Sequence, residues 1–152
     1  MKIEFTREEY KCLLDMLYIS EWILNAYKVE DDPRTKAYEK LEQKVFSYAK
    51  DMGFENLLEY AADHGKYYPT REYEVTCSPM EFIDEFENET FWEELISRLA
   101  DRDLIRQLGG IENLSKLSFK ERVEITLPLE EKYSSEFEKS GLDGVSVVCN
   151  RE

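Results

Sequence analysis

The sequence predicts a mainly α-helical protein, a single domain over residues 1–152 built as a bundle of six to seven helices. Three observations point there. Apolar residues recur at steps of three and four along most of the chain. Three Ser/Thr-x-x-Glu capping boxes, at Thr6, Thr90 and Ser118, stand ahead of apolar runs. With 152 residues and 42% hydrophobic side chains, one domain can bury a core without disulfide or metal staples.

Thr6 with Glu9 opens a first helix over residues 7–28. Its segment CLLDMLYISEWILNAY, residues 12–27, is apolar nearly all round and carries only two charges, Asp15 and Glu21. On a helical wheel Glu21 falls between Leu14 and Leu17, and Asp15 between Trp22 and Ala26. A helix apolar on every side is expected at the centre of a bundle or between subunits. Asp15 and Glu21 are therefore candidate buried acids, paired with Arg, Lys or Tyr from neighbouring helices.

Asp31-Asp32-Pro33 reads as a second helix start, followed by a stripe of Tyr38, Leu41, Val45, Tyr48 and Met52 that ends at Gly53. Phe54, Leu57, Leu58, Ala61 and Ala62 predict a short third helix stopped by Gly65, with His64 near its C-terminal end. Beyond it Tyr73, Val75 and Cys77 alternate with polar residues, which predicts a strand within residues 72–77. Ile3 and Phe5 alternate likewise, as do Val145 and Val147, so the termini and 72–77 could form a two- or three-stranded β element.

Ser78-Pro79 opens a helix with Met80, Ile83 and Phe86 on one side, and the Thr90 box restarts it through Trp92, Leu95 and Leu99 to Gly109-Gly110. The Ser118 box leads into Phe119, Val123 and Leu127. Pro128 is expected to kink or split that helix before Tyr133 and Phe137 carry its face on to Gly141.

The net charge is −14, and it is concentrated. Residues 72–97 hold 9 Asp/Glu and no Lys or Arg, against 14 and 11 in residues 1–71 and 11 and 9 in residues 98–152. A nucleic-acid backbone needs a basic surface, so no nucleic-acid partner is expected. The N-terminus has no apolar signal core, and the first helix is too short and too charged to span a bilayer. Cys12, Cys77 and Cys149 form no CxxC pair and read as free thiols in a reducing cytoplasm. A soluble cytoplasmic protein without membrane contact is expected.

One histidine and the absence of phosphate-loop, dinucleotide, calcium-loop and nucleophile-elbow motifs leave no catalytic residue, cofactor or metal site to assign. Glu81, Glu85 and Glu89, with Glu93, are spaced four apart, in a row that a cap at Thr90 would break. They read as a solvated face, a surface for a basic partner, or a divalent-cation site. Arg98, Arg102 and Arg106 would line one helix face, either paired internally with Glu94, Asp101, Asp103 and the acidic block, or forming an anion site or a docking stripe for an acidic partner, including the acidic block of another copy. Tyr67, Tyr68, Arg71 and Tyr73 suit an interaction hot spot or a loop strapped over the core.

The function expected is a non-catalytic cytosolic protein-interaction or regulatory module that self-associates as a homodimer. The alternatives are an acidic decoy or chaperone for a basic protein, and a carboxylate-based metal-binding protein or enzyme.

Overall fold

A computed structural model describes residues 2–76 and 79–146. The chain is mainly helical, 66% helix, with a small two-stranded antiparallel sheet. It divides into two compact units, Met1–Phe86 and Glu87–Glu152.

The first unit opens with α1 (Arg7–Asn25), started by the predicted capping box: the Thr6 hydroxyl accepts from Glu9 N–H while the Glu9 carboxylate accepts from Thr6 N–H. α1 stops short of Lys28. Asp32 does not cap the next helix; its carboxylate accepts from the Arg34 N–H and guanidinium and pairs with Lys28. α2 (Lys36–Phe46) starts after Thr35. Only part of the predicted stripe faces inward: Val45 and Met52 pack against the core, Tyr38, Leu41 and Tyr48 are exposed, and the buried residues are Phe46 and Ala49.

The predicted third helix is instead a turn and a hairpin, β1 (Leu58–Ala61) paired with β2 (Lys66–Pro69), Leu58 opposite Pro69. Gly65, at φ +66°, supplies the left-handed residue that closes it. Tyr60 meets Tyr67 across the strands at 4.9 Å. From α2, the Gln43 amide donates to Tyr67 C=O at 2.9 Å and accepts from Tyr67 N–H at 2.7 Å. Such clamping favours strand over helix here. His64 accordingly lies exposed in the hairpin turn, edge-on to Tyr68, and caps no helix.

The strand expected at 72–77 is a helix, α3 (Arg71–Thr76). The Thr70 hydroxyl accepts from Tyr73 N–H at 3.3 Å, and the Tyr73 ring is drawn inward against Tyr18. Cys77 lies outside the described residues. One core of Tyr10, Leu14, Phe46, Ala49, Phe54, Leu57, Leu58 and Tyr73 joins these elements. The Tyr10 hydroxyl donates to Val45 C=O at 2.7 Å, and burial pushes its pKa up to about 12.

Helix α4 (Pro79–Leu108) is continuous, so Thr90 starts no new helix, and the unit boundary falls within it. The second unit comprises the later part of α4, a 3-10 turn (Ile111–Lys116) and α5 (Phe119–Ser140). α4 ends at the predicted glycines, where Asn113 Nδ2 donates to Leu108 C=O. The Ser118–Glu121 box starts α5, which runs past Pro128 without splitting. Pro128 is exposed, so water can satisfy the carbonyl its missing N–H leaves behind. Trp92 packs on Phe137 at 5.5 Å and Phe137 stacks on Tyr133 at 6.0 Å, while Ala100 and Leu104 are fully buried.

No terminal sheet forms among the described residues: Ile3, Phe5 and Val145 are exposed and outside any strand, and Val147 is not described.

Candidate functional site

A candidate site lies in the first unit, in a groove of about 470 Å³ between α1, α2 and β2. That volume falls in the range of small-ligand and side-chain sites. Tyr18 and Trp22 of α1, Tyr38 of α2 and Tyr67 of β2 supply aromatic walls. Seven carboxylates line it against three lysines. Glu42 is among its lining residues, one helical turn before Phe46 and two before Ala49, so α2 carries the carboxyl to the margin of the core.

Glu42 is half-buried, and that burial pushes its pKa up to about 7. The charges of Glu21 and Glu39 push the same way, and a Gln43 hydrogen bond and Lys66 oppose them. Lys66 is salt-bridged to Glu39, which raises the lysine further and leaves it engaged. At the groove's end Arg34 and Lys28 hold the Asp32 carboxyl well below the usual range. Two carboxylates, Glu21 and Glu42, thus face aromatic walls with little cationic balance. Such an arrangement suits a positively charged guest, which gains both charge pairing and ring-face contact.

The buried acids expected in α1 behave differently. Among the described residues no charged side chain is buried. Asp15 is half-buried, accepts from the Tyr73 hydroxyl at 2.7 Å, and pairs with Lys11 at 2.5 Å. Glu21 is exposed, accepts from Asn25 Nδ2 at 3.4 Å, and faces the groove.

Tyr67 and Tyr68 line the groove and Arg71 is exposed, but Tyr73 is 1% exposed and is no surface hot spot. Glu81, Glu85 and Glu89 are exposed on one uninterrupted helix, so the carboxylate row is not broken at Thr90. Among the described residues, no group of three or more His, Cys, Asp or Glu is placed to hold a metal ion.

In the second unit the arginines engage nearby acids: Arg98 with Glu94 at 2.9 Å, Arg102 with Asp103 at 2.8 Å and Arg106 with Asp103 at 3.5 Å. The Tyr133 hydroxyl donates to Asp103 and accepts from Arg102, and its hydrogen bond holds the Asp103 carboxyl low.

Sequence reasoning missed Glu42 and Gln43. The available signal was register: Glu42, Phe46 and Ala49 are spaced as one helix face, so a carboxylate there must approach the core. No described helix is long and apolar enough to cross a membrane. No family model, curated protein or solved structure matches the chain.

Proposed function

We propose that the chain is a non-catalytic protein-interaction module whose first unit takes a lysine or arginine side chain of a basic partner protein in the groove between α1, α2 and β2. The observation that carries this reading is Glu42, half-buried between Glu21 and Glu39 in an aromatic-walled groove. A guest ammonium or guanidinium would favour the ionised form of Glu42, so binding releases a proton when the pH is below about 7. The protein-wide excess of acid steers a basic partner toward the molecule.

Trp22 lines the groove and reports occupancy once the other tryptophan is removed by Trp92→Phe. Titration with short lysine-rich or arginine-rich peptides should change Trp22 fluorescence. Affinity should rise between pH 6 and pH 8, weaken with salt, and drop about tenfold in Glu42→Gln. A glutamate-rich peptide should not bind. Basic peptides that bind Glu42→Gln as well as they bind the native chain would refute the reading.

A further inference from the structure

Helix α1 is apolar on two sides, and the core of its unit covers only one. Tyr10 and Leu14 are buried, with Leu17 and Tyr18 packed against the same cluster. On the other side Cys12 is exposed, Met16 is 67% exposed, Ile23 58% and Tyr27 87%. Tyr27 follows the Ala26 cap, which keeps helical dihedrals. At 100° per residue these four side chains share an arc of about 60°. No charged residue between Cys12 and Tyr27 enters that arc.

Their spacing is symmetric. From Cys12 to Met16 is four residues, from Met16 to Ile23 seven, and from Ile23 to Tyr27 four, so the stripe reads the same in both directions about a point between Ile19 and Ser20. Reversed on itself, it sets Met16 of one copy against Ile23 of the other, and Cys12 against Tyr27. We propose that this stripe is where a second copy of the chain packs, with the two α1 helices antiparallel about a twofold axis between Ile19 and Ser20.

A twofold interface requires one patch to complement itself, which this spacing provides. Antiparallel packing also opposes the two helix dipoles favourably. An uncharged stripe lets two chains of net charge −14 meet without burying an ion, whereas a basic partner would gain no charge pairing there. The stripe is about 24 Å long, one helix pair wide. A contact of that size falls below the roughly 800 Å² per partner of standard interfaces, so association in the micromolar range is expected.

The proposal is independent of the groove, and salt separates the two. Salt screens repulsion between two acidic chains and should strengthen the dimer, whereas it should weaken cation binding. Sedimentation equilibrium of the full chain over about 10–500 µM should show a reversible monomer–dimer equilibrium that tightens several-fold between low and high salt. The exposed double variant Met16→Glu/Ile23→Glu should stay monomeric, with helix content unchanged and the melting temperature of the native chain at dilutions where it is monomeric; Met16→Ser/Ile23→Ser should weaken the dimer without adding charge. In a background with all cysteines replaced by serine, Met16→Cys mixed with Ile23→Cys should give a crosslinked heterodimer on oxidation. A chain still monomeric at the highest concentration and salt overturns the proposal. So does a dimer that survives Met16→Glu/Ile23→Glu, or efficient crosslinking of Met16→Cys to itself.

Discussion

Nine hydrophobic side chains of the first unit are buried among the described residues, including Tyr10, Phe46, Phe54 and Tyr73; in the second unit there are two, Ala100 and Leu104. The first unit packs helices against a hairpin and encloses these four aromatic rings. The second leaves Trp92, Leu99, Tyr133 and Phe137 half-covered. Its order depends more on local devices: a capping box, ring contacts, and ion pairs along α4 and between α4 and α5, such as Arg122 with Asp101 at 3.2 Å. Enclosure is also what makes the groove electrostatically unusual, because the margin of a dense core can desolvate a carboxyl and an open helix face cannot.

The contrast can be broken most directly in the cores. Phe46→Ala should cost about 3–5 kcal/mol, while Phe137→Ala, removing a half-covered ring, should cost about 1–2 kcal/mol. Urea unfolding read through Trp22 in a Trp92→Phe background, and through Trp92 in a Trp22→Phe background, reports each unit separately. Equal losses would erase the distinction.

The next largest effect concerns pH. The folded pKa of Glu42 is raised from the ordinary value of 4.5 to about 7, so between those values the folded chain holds more protons than the unfolded one. That group's contribution to stability therefore falls as pH rises from about 4.5 to 7. Glu42→Gln should remove this slope and stabilise the first unit at pH 8 by about 1–2 kcal/mol, allowing for solvent screening, with little change at pH 4. Chemical denaturation at several pH values measures it. A variant retaining the native pH slope would show that the desolvated carboxyl lies elsewhere.

The smallest effect should be the same in both units. Thr6→Ala and Ser118→Ala each remove a helix-capping hydroxyl, and each should cost about 1 kcal/mol. Hydrogen exchange in the first turns of α1 and α5 would show the fraying. A much larger loss at Ser118 would mark α5 as the weak point of the second unit.

The same division governs what could be read from the sequence. Caps and glycine stops are local, so the starts of α1 and α5 and the end of α4 were legible. The Phe54–Ala62 region was not, because Phe54, Leu57 and Leu58 reach the core whether the backbone continues as a helix or turns into a strand. Gln43, 24 residues away from Tyr67, helps hold the strand. Tyr73 alternated like a strand residue but was pulled inward by Asp15 and Tyr18, and Thr90 looked like a cap although α4 runs through it. Of the candidate site, Glu21, Tyr67 and Tyr68 were nominated from sequence. Glu42 required knowing which side of α2 faces inward.

The Gln43 clamp has a consequence for solubility. A two-stranded ribbon leaves backbone donors and acceptors open to any passing extended chain, the usual beginning of edge-to-edge aggregation. On β2 the outward N–H and C=O of Tyr67 are already occupied by the Gln43 amide. One side chain thus fills the position that a foreign strand would need first.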